Sequence, residues 1–76
     1  MSTAYEIHCP AYVDEIEMHN WNFEVCFDNG DIGSFDKYAD THEMLNWCYD
    51  NMDNHFDIIR ISIWCDLEWW GEMERR

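Results

Sequence analysis

Trp21, Phe23, Val25 and Phe27 alternate with Asn22, Glu24, Cys26 and Asp28 in the cleanest pattern of the chain. Successive side chains of an extended strand point to opposite faces, so this run predicts a strand with one buried and one wet side. The apolar phase changes between Met18 and Trp21, which predicts a bend or bulge near His19-Asn20. Asp28-Asn29-Gly30-Asp31 then carries the Asn-Gly signal of a tight hairpin, in which both central residues can take positive φ. Asp31–Lys37 returns as the partner strand, bearing Ile32 and Phe35. Upstream, Tyr5–Cys9 alternates as a short strand limited by Pro10. Ala11–Met18 is ambiguous, with Ile16 and Met18 alternating against Glu15 and Glu17.

Asp40 followed by Glu43 reads as a capping box that opens a helix of roughly a dozen residues. Met44, Leu45, Cys48, Tyr49 and Met52 share one face at helical spacing, and Glu43, Asn46, Asp50 and Asp53 share the opposite one. Trp47 falls outside the apolar arc, beside the acidic stripe. Phe56–Leu67 is the most strand-like segment. Ile59, Ile61, Ile63, Cys65 and Leu67 form one face, and Ile58, Arg60, Ser62, Trp64 and Asp66 the other; such two-sided apolarity predicts a central strand. Glu68–Arg76 closes the chain with Trp69-Trp70 and mixed charge. The order hairpin, helix, strand predicts an α+β fold: an antiparallel sheet of three to four strands with a single helix packed on one face. With 76 residues and no linker or repeat, one compact domain over 1–76 is expected.

Charge changes this picture. Seventeen Asp and Glu stand against four Lys and Arg, for a formal net charge of -13. The acids are spread along the chain, so a small fold must carry nearly all of them on its surface. The resulting field repels DNA, RNA and anionic membranes and attracts basic surfaces. Disorder is not the expectation, because 47% of the residues are hydrophobic and 17% aromatic. Met1–Ala4 runs into polar sequence without an apolar h-region, and no stretch has the roughly 18 apolar residues of a membrane span. A cytoplasmic setting is therefore expected, with Cys9, Cys26, Cys48 and Cys65 reduced and mostly buried.

The chemistry-bearing residues offer little else. The cysteines lie seventeen or more residues apart in different predicted elements, without the paired spacing of structural zinc, so no metal site is expected. His8 and Cys9 are neighbours that point to opposite strand faces. Asp28-Asn29-Gly30-Asp31 lacks the twelve-residue ligand run of a calcium loop. No phosphate loop, nucleophile elbow or cofactor motif is present, and the expectation is a protein that is not an enzyme and uses no cofactor.

Two signals remain. The predicted helix contains no basic residue to relieve its stripe of Glu43, Asp50 and Asp53, and Asp28 and Asp31 flank one hairpin turn. Such retained repulsion marks the negative field as a functional product. Trp47, Trp64 and Trp69-Trp70 also exceed what one small core absorbs, and Trp47 beside the stripe is the candidate interface anchor. In size, charge and hairpin–helix–strand order the chain resembles small acidic phage-encoded inhibitors, namely anti-CRISPR proteins and other DNA mimics. That resemblance implies occupation of the nucleic-acid channel of a CRISPR effector or another DNA-binding defence enzyme, in the bacterial host cytoplasm.

The expected partner is thus a basic protein surface, met by Asp28, Asp31, Glu43, Trp47, Asp50 and Asp53 of a monomer or homodimer, with no direct binding to nucleic acid or membrane. The alternative is an immunity or antitoxin-like protein that neutralises one basic toxin through an aromatic-anchored interface.

Overall fold

The computed structural model of the chain describes residues 5–8 and 16–75. Cys9, Pro10, the ambiguous stretch up to Glu15, and Arg76 lie outside the described residues. The fold is α+β, as the sequence predicts. In chain order it runs β1 (Tyr5–His8), β2 (His19–Phe27), β3 (Ile32–Ala39), α1 (Thr41–Asn54), β4 (Ile58–Cys65) and β5 (Glu68–Arg75). The strands form one antiparallel sheet in the order β1-β5-β4-β2-β3. Four strands of eight or nine residues make its body, and the four-residue β1 extends one edge. The segment with apolar residues on both faces, β4, occupies the middle of the sheet. Among the described residues no helix is long and apolar enough to cross a membrane.

The core lies between the sheet and α1. Trp21, Phe23 and Val25 of β2, Ile61, Ile63 and Cys65 of β4, and Trp70 and Met73 of β5 pack with Met44, Cys48 and Met52 of α1. Asp40 caps α1, its carboxylate accepting from the N–H of Glu43 at 2.8 Å. The other end of the helix has no basic residue in its last turn. Its carbonyls are met from β5 instead. The Arg75 guanidinium donates to the carbonyls of Met52 (2.6 Å), His55 (3.2 Å) and Ile58 (2.8 Å), and it lies over the Phe56 ring. A cation placed there both satisfies orphan carbonyls and opposes the negative end of the helix dipole.

Several details depart from the sequence reading. The phase change before Trp21 is a turn and bend at Ile16 and Glu17, just before β2, and not a bulge; the β2–β3 register is regular from His19 opposite Ala39 onward. Register shifts occur instead on either side of β4, between Cys26 and Phe27 and between Ile63 and Trp64. The first leaves Ile59 as the extra residue, so Ile58 turns into the core while Ile59 is 44% exposed. The second leaves Trp70 as the extra residue and turns its ring inward, edge-on to Trp21 at 5.5 Å. Leu67, assigned to the apolar face of a longer strand, is 85% exposed in a turn.

The Asn-Gly hairpin does not take the turn its sequence predicts, and a second hairpin turn follows β4. At Asp28-Asn29-Gly30 only Gly30 takes positive φ, at 93°. The Phe27 carbonyl accepts from the Gly30 N–H, and the Phe27 N–H donates to Asp31. This is a type I turn followed by a left-handed glycine, a three-residue loop. The β4–β5 turn has two residues, Asp66 (φ 49°) and Leu67 (φ 71°), in the left-handed region without any glycine. Such strain costs about 1–3 kcal/mol per residue and persists only where the surroundings hold it. Here they do: Asp66 donates its N–H to the Asn20 carbonyl and accepts the Asn20 N–H on Oδ1 at 3.0 Å.

Candidate functional site: an acidic, aromatic sheet face

Alternation along the strands places a second set of side chains on the side of the sheet away from α1. The register aligns them in rows. Tyr38 stands opposite Asn20; Asp36, Asn22, Trp64 and Trp69 follow in the next row. Ser34, Glu24, Ser62 and Glu72 form the third, and Ile32, Cys26, Arg60 and Glu74 the fourth. Four carboxylates, those of Glu24, Asp36, Glu72 and Glu74, thus share one surface with two tryptophans and a tyrosine. Trp69 is 44% exposed and Tyr38 63% exposed, whereas Trp64 is half-buried. A shallow hollow of about 320 Å³ opens beside Asn20, Asn22, Asp36 and Tyr38. Asn22 Nδ2 donates to Asp36 Oδ1 at 2.6 Å and fixes the carboxylate at its rim.

Arg60 is the one basic residue in these rows. Its Nη2 contacts Cys26 Sγ at 3.4 Å. That contact first, and then the nearby Glu72 and Glu74, push the guanidinium pKa up from its ordinary value. Glu72 and Glu74 thus attract its charge within the face, while its Nε is buried without a hydrogen-bond partner among the described residues. Lys37 is likewise turned to Glu43, at 3.9 Å, and Arg75 to the end of α1. All three described basic side chains have internal partners, and the carboxylates outnumber them heavily at the surface.

The six residues singled out from sequence do not form one site. Glu43, Asp50 and Asp53 are exposed on α1, and Asp28 and Asp31 are exposed at the hairpin tip. The Asp28 N–H donates to the Asp57 carbonyl at 2.8 Å, which joins the tip to the loop after α1. Asp28, Asp31 and Asp53 thereby gather toward one end of the molecule, while Glu43 sits in the first turn of α1 at the other. Trp47 is corrected. Its ring stacks on Phe23 at 4.3 Å and lies 5.8 Å from Phe35, packed against the core. The buried arc of α1 runs through Thr41, Met44, Cys48 and Met52 with Trp47 at its flank, while Tyr49, assigned to that arc, is 37% exposed. The exposed tryptophan is Trp69, which alternation could have found had Glu68–Arg75 been read as a strand.

Cys26, Cys48 and Cys65 are buried, as expected, and free. Burial pushes the Cys48 thiol up to about 12, and burial with neighbouring Asp66 pushes Cys65 up to about 11. Neither is a thiolate nucleophile at neutral pH. No protein-family model, curated protein or solved structure matches the chain.

Proposed function

We propose that this protein is a non-enzymatic inhibitor that binds a basic, nucleic-acid-binding surface of a partner, such as a CRISPR effector or another DNA-binding defence enzyme, and blocks access of DNA or RNA. The observation that carries this reading is the combination on one sheet face of Glu24, Asp36, Glu72 and Glu74 with exposed Trp69 and Tyr38, while Lys37, Arg60 and Arg75 face partners inside the molecule. Carboxylates take the place of phosphates and speed association with a positive groove. Aromatic side chains supply the desolvated contact area that exposed ion pairs alone do not.

The aromatic pair also favours a second reading, an immunity-type protein held mainly by Trp69 and Tyr38 on one basic toxin. Capture from bacterial lysate by the tagged protein, followed by elution with salt or with duplex DNA, separates the two. Mimicry predicts a nucleic-acid-binding partner that leaves at moderate salt and is displaced by DNA. A partner that survives high salt and ignores DNA contradicts mimicry and supports the second reading.

A further inference from the structure

At the β4–β5 turn, away from the carboxylates discussed above, three side chains of different chemistry converge. His19 Nδ1 lies 2.9 Å from Asp66 Oδ2, and Cys65 Sγ lies 3.8 Å from the same oxygen. All three donor atoms fall within 4.8 Å of one another. Two donors bound to one tetrahedral zinc are about 3.3–3.6 Å apart, given bonds of about 2.0–2.3 Å. These two separations bracket that range. An ion entering here would spread the His19–Asp66 pair and draw the Cys65 sulfur toward both, from within 4.8 Å.

From these distances we infer that His19 Nδ1, Cys65 Sγ and an Asp66 carboxylate oxygen form a binding site for a zinc-class divalent transition ion.

Three further features prepare the site. The far nitrogen of His19, Nε2, is buried without a hydrogen-bond partner among the described residues, and Glu17 Oε2 stands 4.0 Å from it. When Nδ1 binds an ion, Nε2 carries the ring proton, and Glu17 would have to close by about 1 Å to accept it as a hydrogen bond. A carboxylate so placed commonly orients a metal-bound histidine. Cys65 and Asp66 are adjacent across the start of a two-residue turn, so two donors are delivered by one fixed piece of backbone. The left-handed φ values of Asp66 and Leu67 are held by the paired bonds to Asn20, which anchors that backbone to the residue after His19. Asp66 is exposed, leaving a fourth position open to solvent or to a donor from another molecule. The mixed nitrogen, sulfur and oxygen set selects zinc, cobalt or cadmium over magnesium and calcium, which prefer oxygen alone. Metal binding displaces the thiol proton, since the sulfur coordinates as thiolate.

The test is titration of the reduced full chain with Co²⁺ in excess Mg²⁺, which occupies the scattered carboxylates. One equivalent should produce sulfur-to-cobalt charge-transfer absorption, and Zn²⁺ should abolish it. Cys65→Ser should remove the band and Cys26→Ser should leave it. His19→Gln should weaken binding by at least about tenfold, the lower end of what even an outer partner is worth. Absence of the band in the unaltered protein, or its survival in Cys65→Ser, overturns the site. Cadmium NMR of the unaltered chain gives the same decision without a variant: a resonance showing one sulfur donor supports the assignment, and an all-oxygen resonance refutes it.

Discussion

Toward α1 the sheet presents Trp21, Phe23, Val25, Ile61, Ile63 and Met73, each at most 2% exposed. On the other side of the same strands stand Asn22, Glu24, Arg60, Trp64, Glu72 and Glu74, none of them fully buried. Neighbouring residues of one strand thus differ in what they do. Pleating separates them, so the inner set can hold the fold while the outer set stays at the surface, where the proposed partner would meet it. A small chain of this charge needs that division, because surface repulsion must be offset by tight packing on one side only.

The division is broken most sharply by comparing two tryptophans. Trp21→Ala removes a fully buried ring whose Nε1 donates to the Ala39 carbonyl, and should cost about 3–5 kcal/mol in denaturant unfolding. Trp69→Ala should change stability by only about 0.5 kcal/mol while abolishing partner capture. Equal losses of stability would erase the distinction between the faces.

Arg75→Ala tests the polar closure of the helix side. Losing the charged donors to Met52, His55 and Ile58 should destabilise by about 2–3 kcal/mol, with hydrogen exchange faster at the end of α1. Trp47→Ala should cost about 2 kcal/mol through its stack on Phe23, and should leave capture unchanged when assayed well below the melting temperature. A variant that kept full stability and lost capture would return Trp47 to the interface. The smallest effect is ionic: raising salt from low to physiological strength should raise the melting temperature modestly, because screening relieves net repulsion.

Much of this architecture is legible in the residues. The alternation over Trp21–Phe27, the Asp40 cap and the central placement of the Ile61-Ser62-Ile63 segment follow from periodicity and capping chemistry alone. The misses have definite causes. β5 was hidden because its preceding turn, Asp66-Leu67, lacks the glycine or asparagine that announces a hairpin, and because the bulge at Trp70 breaks its alternation. Trp47 was misplaced because a wheel of apolar letters centres the arc on small differences. The structure rotates it toward Phe23 and Phe35, where a large ring fills the space beside β3. His19 lies 46 residues before Cys65 and 47 before Asp66, and only the pairing of β2 with β4 brings it to them. No local spacing rule reports such a cluster.

The central claim is that the face turned away from α1 binds the partner. Its most direct measurement compares two charge-reversed variants in the DNA-displaceable capture assay: Glu24→Lys with Asp36→Lys and Glu72→Lys on the sheet, and Glu43→Lys with Asp50→Lys and Asp53→Lys on α1. Both should retain the fold by circular dichroism. The account predicts that the sheet variant loses capture and the helix variant keeps most of it. Loss confined to the helix variant would contradict the claim and move the interface to α1.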